Sequence, residues 1–144
     1  MKEEIHRITA TGGCLCGAVK YEVRGPLRPV VNCHCGQCRR ASGHFVAASG
    51  ARGGDLSLVS SEGLRWYESS PKARRGFCGV CGSSLFWEPV SGGEIMIMAG
   101  TMDSPTGLET VVHIFVDDAG DYYGITDDLP RLSHGDHGVE VPEV

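Results

Sequence analysis

A chain of 144 residues with 41% hydrophobic and 22% charged residues has the length and composition of one ordinary globular domain. No apolar run approaches the ~20 residues of a membrane span, and a net charge of −5 argues against a nucleic-acid binder held by bulk charge. The charge is uneven: from Asp117 onward eight acids face a single base, Arg131, so the first 116 residues carry a small positive excess.

The N-terminal stretch Met1–Ala10 mixes Lys2, Glu3, Glu4, His6 and Arg7 and has no apolar h-region. It is therefore not read as a secretory signal, and a cytoplasmic location is expected. Beyond it, glycines and short polar clusters separate runs rich in β-branched and aromatic residues: Ala18–Val23, Phe45–Ser49, Leu56–Val59, Leu64–Tyr67, Ser84–Trp87, Ile95–Ala99 and Val111–Val116. Runs of four to six residues suit strands. Ala18–Val23 alternates apolar and polar, as a half-buried strand does. No stretch repeats apolar residues at helical spacing over three turns, and one helical turn is expected around Gly36–Ala41. The expectation is a single all-β domain over 1–144, with its core at about 8–132 and a loose acidic tail over 133–144. Phe86, Trp66, Trp87 and the Ile95–Met98 run are expected in the core.

Seven cysteines stand in three groups: Cys14-Leu15-Cys16, Cys33-His34-Cys35-Gly36-Gln37-Cys38, and Cys78-Gly79-Val80-Cys81. An odd count is not a closed disulfide set, and clustered cysteines in a reducing compartment more often bind metal. A redox CxxC wants a thioredoxin-like context, which is absent, and leaves five cysteines unexplained. Residues two apart in an extended segment share a face, so Cys14 and Cys16 present two sulfurs together, as do Cys33 and Cys35. Cys78 and Cys81 have the spacing of a zinc knuckle, with Gly82 after them to take a positive φ. Cys35 and Cys38 are one helical turn apart.

Seven divides naturally into a closed site of four thiolates and a site of three with one position open for water or substrate. CxC with CxxC makes the four, and CxCxxC makes the three. Spacing alone leaves another partition open, in which Cys14 and Cys16 share an ion with Cys33 and Cys35. His34 lies between two candidate ligands, faces away in an extended segment and is read as structural. His44 and His113 are the histidines able to close the three-cysteine site.

Taken in order, Gly13-Cys14-x-Cys16-Gly17-x-Val19-x-Tyr21, Cys33-His34-Cys35-x-x-Cys38-Arg39-Arg40, Ser69-Ser70, Phe77-Cys78-x-x-Cys81-Gly82-Ser83-x-Leu85, Ala99-Gly100-Thr101-x-Asp103, His113-Ile114-Phe115-Val116 and Asp127-Asp128-Leu129-Pro130 strongly resemble the glutathione-dependent formaldehyde-activating enzyme family, also called the GFA or centromere-protein-V domain. The likeness runs from about residue 12 to 132. It implies an all-β, Mss4-like fold of short antiparallel strands built around zinc. It implies a structural ion on Cys14, Cys16, Cys78 and Cys81, and a second, catalytic ion on Cys33, Cys35 and Cys38. The family's reaction is condensation of formaldehyde with glutathione to S-hydroxymethylglutathione, classed as a carbon–sulfur lyase. Two departures stand out: a Tyr122-Tyr123 pair where the family usually has Trp-Tyr, and His44 before Phe45 where Ala or Pro is common, which makes His44 a further substrate-binding candidate.

A thiol in the fourth position of such an open site is deprotonated and can attack a small aldehyde. Arg39 and Arg40 are candidates for holding a carboxylate of glutathione, or for pairing with the acidic C-terminal segment. Arg74 and Arg75 are weaker candidates of the same kind. Thr101 and Asp103 read as turn residues. The main expectation is a zinc enzyme acting on a small thiol and a small aldehyde, with no nucleic-acid or membrane partner. The alternatives are a thiol carrier without catalysis and a zinc-stabilised interaction module.

Overall fold

The computed structural model describes residues 7–143. The first six residues of the stretch read for a signal lie outside them. The described chain folds as β1 (Ile8–Gly13), β2 (Lys20–Arg24), β3 (Arg28–Cys33), α1 (Gly36–Ser42), β4 (Val46–Arg52), β5 (Leu56–Ser60), β6 (Leu64–Ser70), β7 (Ala73–Cys78), β8 (Ser84–Pro89), β9 (Glu94–Met98) and β10 (Thr110–Ile114). The strands form a three-stranded sheet, β1-β2-β5, and a seven-stranded sheet, β10-β3-β4-β9-β8-β7-β6. The all-β expectation holds, and α1 falls where a helical turn was expected. No helix among the described residues is long and apolar enough to cross a membrane.

Pairing is antiparallel except at one edge, where β10 lies parallel to β3. Residues 99–109 carry the chain from β9 to the far edge of the large sheet, so it arrives beside β3 running the same way. Hydrogen bonding there sets His113 opposite Asn32 and Ile114 opposite Cys33.

Period-two alternation builds the core. On β2, Tyr21 and Val23 are buried while Lys20 faces solvent. They meet Ala51, Phe86, Ile95 and Ile97 from the inner face of the large sheet. The Tyr21 and Phe86 rings sit edge to face with centroids 5.3 Å apart. Each such buried side chain contributes about 1.5–3 kcal/mol.

The outer face of the large sheet carries the alternate residues. Met98 lies opposite Ala48, Met96 opposite Gly50 and Trp87, and Trp87 opposite Arg75. The Ile95–Met98 run expected in the core divides between two clusters: Ile95 and Ile97 face inward, and Met96 is buried on the other sheet face, where the partly buried Met98 and Trp87 pack with it. Of the segment expected to be a loose tail, residues 133–143 are described, and they lie along the domain. Phe115 N–H donates to His134 O, Arg52 donates to Pro142 O at 3.0 Å, and Val139 packs against Val31, Val112 and Ile114.

Candidate functional site

Cys14 and Cys16 leave the end of β1, and Cys78 closes β7. Cys14 N–H donates to Val19 O at 3.0 Å, which folds the loop back and brings its two sulfurs together. At the other end Gly82 N–H donates to Cys78 O at 2.8 Å, with Gly82 at φ +82°. Only glycine takes that conformation without strain, and it completes the knuckle. The four sulfurs lie within 4.8 Å of one another. Cys14 and Cys16 are 3.7 Å apart and Cys16 and Cys78 3.8 Å apart. A tetrahedron of sulfurs around zinc at ~2.3 Å has edges of about 3.8 Å, so this cluster can hold a metal ion and fits zinc. Backbone N–H groups of Val19 and Val80 donate to the Cys14 and Cys78 sulfurs at 3.2 and 3.4 Å, stabilising thiolate charge. The Ser83 hydroxyl, 3.2 Å from Cys81, pulls that thiol down to about 5.

The second cluster is Cys33, Cys35 and Cys38, again within 4.8 Å. Cys33 ends β3, and Cys35 is the N-cap of α1, its sulfur accepting from Cys38 N–H at 3.3 Å. One turn of helix then returns Cys38 to the same side. Hydrogen bonds from the Cys33 and Cys38 thiols push the Cys35 thiol far down, to about 2. The same sharing pushes Cys33 up. Arg75 reaches across from β7, donating to Gln37 Oε1 at 3.0 Å and to the Cys38 sulfur at 3.6 Å. No histidine, aspartate or glutamate among the described residues joins these three sulfurs. The partition in which Cys14 and Cys16 share an ion with Cys33 and Cys35 is absent from the described residues.

A cavity of about 400 Å³ opens beside the three sulfurs. Its floor is the outer sheet face, with Val31, Ala48, Met96, Met98 and Trp87, and Phe115 and His137 close it from the C-terminal side. Phe115 takes φ +55°, a strained conformation for a bulky residue, and packs its ring against Gly135. Arg39 and Arg40, expected as substrate ligands, do not line this cavity. They follow Cys38 on α1, and each helical residue turns about 100°, which carries them off the sulfur side. Arg39 is half-buried against Gly120, and Arg40 is exposed. Neither pairs with an acid among the described residues. Arg75 occupies the position beside the sulfurs. The lining residues Arg28 and His137 carried no local signal, because strand register and the C-terminal segment bring them there from distant positions.

The sequence profile described as glutathione-dependent formaldehyde-activating enzyme matches residues 9–118. The chain belongs to the glutathione-dependent formaldehyde-activating enzyme family. A Schizosaccharomyces pombe protein named as an uncharacterized lyase is 29% identical over 114 residues, covering 78% of this chain and 82% of that one. A crystal structure of a Rhodobacter sphaeroides protein, a Northeast Structural Genomics target, is similar with a TM-score of 0.55 and 30% identity. That likeness covers 69% of this chain and 97% of the other.

Within this family member, the two sequence departures meet in space. His44, expected as a substrate ligand, is exposed and does not line the cavity; its Nδ1 lies 2.7 Å from the Tyr122 hydroxyl. The neighbouring tyrosine starts a chain of hydrogen bonds. Tyr123 Oη is 2.6 Å from His34 Nδ1, His34 Nε2 is 2.9 Å from His113 Nδ1, and His113 Nε2 is 2.9 Å from Asp127 Oδ2. A carboxylate only accepts, so with neutral rings every proton points one way: Tyr123 donates to His34, His34 to His113, and His113 to Asp127. Burial holds the His34 pKa down and keeps its ring neutral. Both His113 nitrogens are thereby engaged away from the sulfurs. The chain clamps His34, and with it the backbone that carries Cys33 and Cys35.

Proposed function

We propose that the protein is a lyase-type zinc enzyme that joins a thiol to formaldehyde or a related small aldehyde, forming an S-hydroxymethyl adduct. Glutathione is the thiol the family name designates. The observation that carries this reading is the three-sulfur cluster beside a cavity, with no fourth protein donor among the described residues. The four-sulfur cluster has the closed donor set of a structural zinc. Cys33, Cys35 and Cys38 would hold the second ion. Zinc bound there would supply a positive centre that favours the substrate's sulfur as thiolate at neutral pH.

The protein's part in the reaction is positioning. Cys33 and Cys35 are fixed through β3 and the clamped His34, and Cys38 through α1. The Arg75 guanidinium beside Cys38 offsets part of the negative charge of three thiolates. The cavity holds the thiol near the sulfurs and limits the water around it. The new S–C bond forms as the aldehyde C=O π bond breaks, and the thiol's proton ends on the former carbonyl oxygen. Holding both reactants together supplies much of the acceleration.

The test is the rate of adduct formation with glutathione and formaldehyde, measured against the uncatalysed background for the zinc-loaded protein and for Cys35→Ser. Acceleration that Cys35→Ser abolishes supports the assignment. Saturable thiol binding without acceleration would reassign the protein as a thiol carrier. An equal rate in Cys35→Ser would remove the three-sulfur cluster from the chemistry.

A further inference from the structure

Among the described residues, Arg28 is a charged residue with unusual surroundings. It is only 7% exposed, at the start of β3, and it borders the cavity that the three sulfurs border. Its Nη2 donates to Ala48 O at 2.8 Å, and its Nε is buried without a partner. Among the described residues no carboxylate forms an ion pair with it; Glu94, exposed at the same end of the cavity, acts on it only through its electrostatic field. A buried guanidinium with no carboxylate in contact is disfavoured unless something completes it. The open volume it borders is where the completing anion fits.

Register gives the cavity a length. Cys33 lies opposite Val46 on β4, and the Arg28 side chain reaches Ala48. Two residues of strand separate these points by roughly 7 Å. Val31, Met96 and Met98 line the space between with apolar surface, and Trp87 adds an indole whose N–H is its one polar group. Burial of a short apolar chain against those side chains is favourable.

We propose that the cavity recognises a thiol with a short apolar body and a terminal carboxylate, the sulfur at Cys33, Cys35 and Cys38 and the carboxylate on Arg28. This rests on the reading above only for the sulfur end. The Arg28 end acts by itself and is tested without a thiol.

The experiment titrates hexanoate and hexanol into the zinc-loaded protein and follows binding by calorimetry and by tryptophan fluorescence. Hexanoate binds tighter than hexanol by about tenfold or more, the factor carried by a charge-assisted hydrogen bond. Arg28→Met erases that preference, and Arg28→Lys restores part of it. Hexanoate carries no thiol, so its preference over hexanol is read whether or not the protein accelerates adduct formation, and failure of the thiol reading is seen separately. Should Arg28→Met not fold, Ala48→Leu, which fills the floor, serves instead and abolishes hexanoate binding. Equal affinity for hexanoate and hexanol, no saturable binding of either, or undiminished hexanoate binding in Arg28→Met or Ala48→Leu would each overturn the proposal.

Discussion

Replacing His113 with leucine cuts the hydrogen-bond chain at its centre. His113 is 3% exposed, and its two ring nitrogens meet His34 and Asp127, each at 2.9 Å. The substitution leaves His34 Nε2 buried without a partner, because His34 itself is 1% exposed. An unsatisfied buried group costs about 1–3 kcal/mol, and the exposed Asp127 carboxylate is simply rehydrated when its bond is lost. The expected destabilisation is roughly 1–3 kcal/mol, read by urea unfolding of the zinc-loaded protein. His34→Leu should destabilise similarly. The double variant should lose less than the sum, by about 1 kcal/mol or more, since each single change already breaks the shared bond. His34 sits between Cys33 and Cys35, so His113→Leu should also release metal from the three-cysteine site to a chelator faster than wild type. A destabilisation under about 0.5 kcal/mol, or strict additivity in the cycle, would refute the clamp.

Two further outcomes follow from particular contacts. A Cβ at Gly63 would lie 2.8 Å from both the Ala18 Cβ and the Cys78 sulfur, so Gly63→Ala should cost about 1–3 kcal/mol and weaken metal retention at the four-cysteine cluster; chelator competition unchanged from wild type would contradict this. The hydrogen bond from His113 lowers the Asp127 pKa, so this carboxylate contributes stability that is present above its unfolded value of about 3.9 and lost as pH falls through the lower folded value. The stability gap between wild type and Asp127→Asn should therefore hold steady above about pH 5 and shrink in more acid solution, as urea midpoints at a series of pH values will register; a gap that widens on acidification would reverse the assigned sign.

Local chemistry made the sulfur clusters legible. CxC at a strand end, CxxC in a knuckle and CxxC across a helix start each fix a pair of sulfurs within a few residues, and the family likeness joined the pairs. The strands carrying hydrophobic alternation were equally plain. Three others were not. Ile8–Gly13 reads as polar and glycine-rich, Arg28–Cys33 contains Pro29, and Ala73–Cys78 holds two arginines and a glycine; all three are strands because neighbours pair with them. The cavity was hidden for a related reason. Met96 and Met98 look like core in sequence, and only the register with Ala48 and Trp87 places them in a second cluster, on the sheet face that borders the cavity. Arg39 and Arg40 drew attention by adjacency to Cys38, but helical rotation carries them away, whereas Arg75 reaches the sulfurs from a strand 37 residues on.

Cadmium NMR of the cadmium-substituted protein tests the central claim most directly. Two resonances are expected, one from each cluster, with Cys35→Ser removing or shifting only one. Titrating a small thiol should move that same resonance toward the position of a four-sulfur site and leave the other fixed. A single resonance, or two that both ignore the thiol, would contradict an open three-sulfur centre that accepts a substrate sulfur.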